Sequence, residues 1–253
     1  TKAVYNSMMN VSDIRNELAR KYRNGIFTDD GDNQLVEITG ASFVADEPTI
    51  FGKVNEDYVQ REFHWYATES LNVNDIPGKC PAIWDRISSS KKEINSNYGY
   101  LCMNEGNHSQ SEKALNTLLA HRASRRALMI YQRPTMHEDF NRDGMCDFIC
   151  TNAVQYLIRN GRMEAVVQMR SNDAWAGYRN DVAWQECMLA WMVHSYNARI
   201  DGLESSVSAG PITWQVGSLH VYHRQFYLLK HFNETGVWNI SKADFDLAQK
   251  LNP

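Results

Sequence analysis

Two β-rich runs meet at Arg159-Asn160-Gly161-Arg162, and this turn constrains the chain more than any other feature. Asn and Gly both tolerate positive φ, so the pair favours a two-residue type I′ hairpin joining Phe148–Ile158 to Met163–Arg170. With Arg159 paired to Arg162 and no bulge, Cys150 lies opposite Ser171 and Thr151 opposite Arg170. Asp173 then falls on the same face as Cys150, one diagonal step away. A single turn thus predicts a thiol, a hydroxyl, a carboxylate and a guanidinium close together. One bulge would change that register.

Elsewhere the pattern interleaves strands with helices. Val11, Ile14, Leu18 and Tyr22 recur at helical spacing behind Ser12, a candidate cap. Gln34–Ile38 and Ser42–Val44 read as short strands. Residues 55–68 read as a helix with the stripe Val59, Glu62, Phe63 and Tyr66. Ser109 and Glu112 have capping-box spacing before a helix carrying Leu115, Leu118 and Leu119. Ala127–Tyr131 reads as a strand. Helix signals return at 181–197, at 222–234 before Gly236, and at 242–251 behind Ser241. Ser88–Lys92 and Glu204–Gly210 read as surface loops. No proline lies between Pro134 and Pro211, which permits long regular elements there. The expected architecture is α+β, and with no repeat or linker in 253 residues, residues 1–253 read as one domain.

Composition narrows the function classes. Hydrophobic residues make up 43% and charged residues 22%, which excludes a disordered chain. Lys and Arg number 26 against 30 Asp and Glu, a net charge of −4 that argues against a binder of nucleic-acid polymers. No apolar run approaches the roughly 18 residues of a membrane span, and Thr1–Asn10 lacks a signal-peptide core. Five cysteines without a C-x-x-C pair read as reduced cytosolic thiols.

Several residues stand out against plainer explanations. Cys150 is a candidate nucleophile, because a nearby arginine would stabilise its thiolate, although buried free cysteines are common. Cys146 reads as structural. Glu62 interrupts the apolar stripe of its helix, where a carboxylate is costly unless it is paired or functional; both readings stand. Asp181 follows Asn180 at a helix start, where dipole compensation is the usual reason for an acid. Arg125 and Arg126 read as a solvated pair or a phosphate grip. His220 and Tyr222 share one strand face. Asp139-Phe140-Asn141-Arg142-Asp143-Gly144 imitates half an EF-hand loop, but its twelfth position is Cys150 and no helix follows, so no metal site is expected.

Taken together, the segments from Gln34 to Asp244 resemble the thymidylate synthase family, and within it the bacteriophage deoxycytidylate (dCMP) hydroxymethylases. The resemblance rests on Gly40-Ala-Ser-Phe-Val-Ala-Asp-Glu-Pro48, Glu62-x-x-Trp65, Ile83-Trp84 and Asn95-Ser-Asn-Tyr-Gly99. It continues through Ser124-Arg-Arg126, Cys150-x-x-x-x-Gln155, Arg170-Ser-Asn-Asp173, Arg179-Asn-Asp181 and Gly217-Ser-Leu-His-Val-Tyr222. It implies a mixed twisted β-sheet flanked by helices, with a sheet face forming a homodimer interface.

By the same resemblance, Cys150 is the nucleophile that adds to pyrimidine C6. Arg170 and Ser171 hold phosphate, and Arg125 and Arg126 reach the phosphate of the neighbouring subunit. His220 and Tyr222 hold deoxyribose, while Asp173 and Trp84 line a pocket for 5,10-methylenetetrahydrofolate. Glu62 organises water and proton transfer, with Tyr98 nearby. Thymidylate synthases have Asn at the position of Asp181, and an amide complements the N3–H and O4 of uracil. A carboxyl group instead accepts from cytosine N4 and shares a proton with N3, which also assists attack at C6.

The resemblance therefore implies hydroxymethylation of dCMP for phage DNA, in the cytoplasm of an infected bacterium, with a nucleotide-synthesis assembly as a further candidate partner. A methylating pyrimidine-nucleotide synthase and a non-catalytic nucleotide- or RNA-binding relative are the competing readings. Thr151 and Ile149 replace the His and Pro that flank the nucleophile in synthases. Asp29-Asp30-Gly31-Asp32 stands where synthases carry a phosphate-binding basic residue, and Lys250-Leu-Asn-Pro253 does not match the synthase tail.

Overall fold

The computed structural model describes residues 8–200, 202 and 205–251. In chain order its elements are β1 (Met9–Asn10), α1 (Val11–Arg23), β2 (Thr28–Asp30), β3 (Asn33–Val44), α2 (Glu56–Thr68), α3 (Ala82–Ile87) and α4 (Tyr98–Met103). They continue with α5 (Gln110–Ala120), β4 (Leu128–Ile130), α6 (Met136–Asp139), β5 (Thr151–Arg159), β6 (Arg162–Asp173), α7 (Ala176–Asn197), β7 (Ser208–Tyr222), α8 (Phe226–Thr235) and α9 (Lys242–Leu251). Strand pairing runs β1-β3-β7-β6-β5-β4, with β2 on β3, so the expected mixed sheet with helices is present. Among the described residues no helix is long and apolar enough to cross a membrane.

The chain divides into two compact units. The first holds the described residues up to Val54, Arg170–Ala183, and those from Ile212 on. Its core is built from Ile14 and Leu18 of α1, Val36 and Phe43 of β3, Trp214 and Val221 of β7, and Leu229 of α8, all fully buried. Truncating a buried aromatic such as Trp214 to alanine costs ~3–5 kcal/mol. Arg15 is buried among them, its desolvation offset by partners: it donates to the Ile50 carbonyl at 2.7 Å and to Glu47 at 2.6 Å, and lies over the Trp238 ring.

The second unit holds Asn55–Met169 and Trp184–Pro211. Its aromatic centre brings Tyr66 against Tyr98 (5.6 Å between centroids), Tyr98 against Tyr131 (5.1 Å) and Tyr66 against Trp184 (5.0 Å). Gly99 makes this possible, because a β-carbon there would fall 1.8 Å from the Tyr66 carbonyl oxygen; α4 rests directly on the α2 backbone.

The hairpin forms as expected, with φ of 49° at Asn160 and 75° at Gly161 and Arg159 paired to Arg162. Its far end departs from the expected register. A bulge between Thr151 and Ala153 sets Thr151 opposite Met169 instead of Arg170, since one extra residue on β5 shifts every later pair by one. Other boundaries also move. Asn10, and not Ser12, caps α1, exchanging hydrogen bonds with Asp13. The two short strands are one, β3, carried through Gly40 at φ 67°. Ser109 sits at φ 45° and makes no side-chain cap; Glu112 pairs with Arg199 instead. Helix α7 begins at Ala176, so Asp181 lies in its second turn and helix-start dipole compensation does not explain it. Ser88 and Ser89 are buried, and 208–210 belong to β7, so neither loop is wholly superficial; residue 204 lies outside the described residues. The end of α8 at Gly236 and the Ser241 cap of α9 agree with expectation.

Candidate active site

In the second unit, Cys150 is half-buried immediately before β5, with Sγ 3.9 Å from the Phe148 carbonyl. The turn that carries it is anchored three residues earlier. The buried Asp147 carboxylate accepts from the amides of Asn95 (2.7 Å) and Ser96 (2.8 Å) and from Ser96 Oγ (2.7 Å). Asn95 Nδ2 donates back to the Asp147 carbonyl at 2.9 Å, and Arg133 holds Asn95 Oδ1 at 2.9 Å. The Asn95–Gly99 segment therefore serves as a clamp on the cysteine loop. The other thiols differ: burial pushes Cys102 up to about 12 and raises Cys80 and Cys187, while Cys146 is exposed and outside the core.

Thr151, next to the nucleophile candidate, donates from Oγ1 to the Tyr98 hydroxyl at 2.9 Å. Tyr98 stacks on Tyr66, and Tyr66 hydrogen-bonds Glu62. Glu62 is 4% exposed and accepts from the Tyr58 hydroxyl at 2.6 Å. That hydroxyl accepts from Trp84 Nε1, also at 2.6 Å. A chain of contacts thus runs from Thr151 through three tyrosines and Glu62 to Trp84. Burial raises the Glu62 pKa to about 7, because phenols are weaker compensation for a desolvated carboxylate than a cation would be; their hydrogen bonds pull the other way. Glu62 is poised to take or give a proton near neutrality. Arg125 and Arg126 are exposed just ahead of β4, their backbone pinned by Gln155 and Ser124.

In the first unit, Arg170 is exposed at the C-terminal end of β6 and Ser171 is half-buried. Asp173 caps α7, accepting from the amides of Trp175 (3.0 Å) and Ala176 (3.3 Å) and from Gln225 (3.4 Å). Asp181 Oδ2 accepts from Asn172 Nδ2 at 2.8 Å. Trp214 Nε1 donates to Asn172 Oδ1 at 3.2 Å, and an indole has no acceptor, so it dictates which end of the amide faces Asp181. His220 is buried with its ring 4.6 Å from that of Tyr222, and its backbone carbonyl accepts from Ala174 at 2.8 Å. The acidic turn Asp29–Asp32 is exposed. The carboxylates of the EF-hand-like segment face arginine and lysine: Asp139 pairs with Arg133 and Arg142, and Asp143 with Lys91.

A family profile described as thymidylate synthase matches residues 50–238. The deoxycytidylate 5-hydroxymethyltransferase of Enterobacteria phage T4 is 50% identical over 94% of this chain and 96% of its own length. The chain belongs to the thymidylate synthase family. The phage T2 protein of the same name is 49% identical over equal shares, whereas the thymidylate synthase of Bacillus atrophaeus is 26% identical over 67% of this chain and 72% of its own. The crystal structure of the T4 phage thymidylate synthase shares the fold, with a TM-score of 0.68 and 18% identity over 87% of this chain and 79% of that one.

For this family member the structure groups the residues singled out in the sequence into two sets. Cys150, Glu62, Tyr98, Trp84, Arg125 and Arg126 belong to one unit, and Arg170, Ser171, Asp173, Asp181, His220 and Tyr222 to the other. Tyr58, Asp147, Asn172 and Trp214 are not among the residues that the sequence singles out. Tyr58 was legible as the residue one helical turn before Glu62, and Asn172 lay inside the Arg170–Asp173 segment. Asp147 and Trp214 act through contacts distant in sequence, which no local pattern reveals.

Proposed function

We propose that this protein is a deoxycytidylate 5-hydroxymethyltransferase, working as one catalytic domain over its 253 residues. The observation that carries the choice of base is Asp181: a carboxylate, held by Asn172, at the position where synthases place an amide. It accepts from cytosine N4 and shares a proton with N3. Half identity to the phage T4 and T2 proteins of that name supports the same reading.

In this reading the Cys150 thiolate adds to C6 of dCMP while Asp181 supplies proton density at N3, leaving C5 nucleophilic. The folate, 5,10-methylenetetrahydrofolate, supplies a one-carbon unit at the methylene level. The half-exposed Trp84 indole, packed on Trp65, offers the aromatic surface that a pterin needs, and family resemblance assigns Asp173 to the folate as well. Glu62 orients water onto the exocyclic C5 methylene and takes its proton. That methylene forms earlier, when C5 gives up its hydrogen as tetrahydrofolate leaves; once water has added, Cys150 leaves C6 and the C5–C6 double bond is restored. Atoms balance as dCMP, methylenetetrahydrofolate and water giving 5-hydroxymethyl-dCMP and tetrahydrofolate.

Arg170 and Ser171 hold the 5′-phosphate. The exposed Arg125 and Arg126 add charge from a second subunit of a homodimer joined through a sheet face. The reaction runs in the cytoplasm of an infected bacterium. Incubation with dCMP and methylenetetrahydrofolate, followed by mass spectrometry, tests it. The expected product carries a hydroxymethyl group with no dihydrofolate formed; a methyl product with stoichiometric dihydrofolate would reveal a methylating synthase. No C5 tritium release at all would point to a binding relative.

A further inference from the structure

We propose that Glu37 and Ser218 are positioning residues that hold the His220 proton on Nδ1, so that Nε2 accepts a hydrogen bond from the single free sugar hydroxyl of the nucleotide. Glu37 lies directly opposite His220 in the β3–β7 pairing, and Ser218 is two residues before His220, on the same face of β7. The Ser218 hydroxyl donates to Glu37 Oε1. A hydroxyl has one proton, so Ser218 Oγ turns a lone pair toward His220 Nδ1, 3.2 Å away. The other neighbour of Nδ1 is the Ser218 carbonyl oxygen at 3.3 Å, which only accepts. A bare Nδ1 would face two lone pairs; an Nδ1–H satisfies both.

The opposite ring nitrogen completes the argument. Nε2 is buried and has no hydrogen-bond partner among the described residues. With Nδ1–H held by these two acceptors, a hydrogen on Nε2 as well would be a buried N–H without an acceptor among the described residues, so Nε2 presents a lone pair. A buried acceptor without a donor is unfavourable until a ligand supplies one. The identity of that donor rests on the proposed reaction: a 2′-deoxynucleoside 5′-monophosphate has one free sugar hydroxyl, at C3′. The relay therefore demands a 3′-hydroxyl and rejects nucleotides whose O3′ is esterified, as it is inside a polymer. It restricts the enzyme to nucleotides before they enter DNA.

Two measurements decide this. In ¹⁵N-histidine-labelled protein without nucleotide, with His220 assigned by comparison with His220→Gln, NMR should show a protonated Nδ1 and an unprotonated Nε2. Glu37→Gln releases the serine proton toward Nδ1, and Ser218→Ala removes one of the two acceptors, so both should admit the Nε2–H tautomer. In parallel, 2′,3′-dideoxycytidine monophosphate should bind roughly 5- to 100-fold more weakly than dCMP, and that ratio should shrink roughly 3- to 10-fold in either variant. An Nε2–H ring in the unmodified protein would overturn the relay, as would variants that change neither tautomer nor ratio. Equal binding of dCMP and its dideoxy analogue overturns the ligand assignment. If neither nucleotide binds, the proposed reaction fails, and the NMR tautomer separately decides whether Glu37 and Ser218 direct the ring.

Discussion

Glu62 is buried and Asp181 half-buried, and the two units hold these carboxylates differently. Glu62 lies among rings, bonded by the phenols of Tyr58 and Tyr66, and its pKa rises to about 7. Asp181 is bonded by an amide whose orientation an indole dictates. The first arrangement leaves the proton loosely held, as acid–base work needs. The second fixes the direction of an oxygen, as discrimination between two pyrimidines needs. Under the proposed reaction, one unit moves protons beside Cys150 and the other reads the base and sugar.

That division can be attacked piece by piece. The largest effect belongs to Cys150→Ala, which should lower dCMP turnover by about four orders of magnitude or more and abolish C5 tritium exchange. Nucleotide binding, measured by calorimetry, should remain within a few fold, since the proposed base, sugar and phosphate contacts do not include Cys150. Glu62→Gln should reduce turnover by roughly 10²- to 10⁴-fold.

The same variant should gain stability at alkaline pH. The raised pKa of Glu62 means that the folded protein keeps a proton that the unfolded chain releases above 4.5. Stability therefore falls as pH rises from 4.5 to about 7 and levels off beyond, by roughly 3 kcal/mol in all. Glutamine cannot ionise, so Glu62→Gln should be more stable than the parent at pH 8 by ~1–3 kcal/mol and equal or less stable at pH 4. Urea denaturation at the two pH values checks the sign. Trp214→Phe, the smallest change, frees the Asn172 amide to rotate and should narrow the preference for dCMP over dUMP by roughly 5- to 10-fold while leaving the C5 exchange mechanism intact. A loss of exchange equal to that of Cys150→Ala would break the separation of roles.

Much of this was legible in the sequence, for reasons that differ by element. The hairpin could be read because Asn160-Gly161 has few conformational options, and Glu62 because a carboxylate in an apolar helix stripe needs an explanation. The Thr151 register could not, since a β-bulge depends on packing across the sheet and leaves no residue signature there. The sequence pattern puts Asp181 at a helix start because Ala176-Gly177 is a weak helix opening, whereas Asp173 supplies the cap from the end of β6. The anchoring of the cysteine loop was out of reach, because the Asn95 and Ser96 amides meet Asp147 across some fifty residues. Local chemistry announces itself in sequence, whereas the partners that hold it in place do not.

The central claim is that the choice of base and the fate of the one-carbon unit are set by different groups. Asp181→Asn, supplied with dUMP and methylenetetrahydrofolate, tests it most directly. With Glu62 and Cys150 untouched, the account predicts a preference shifted toward dUMP by roughly 100-fold or more, and a 5-hydroxymethyl-dUMP product without dihydrofolate. An unchanged dCMP preference, or thymidylate formed with an equivalent of dihydrofolate, would contradict it.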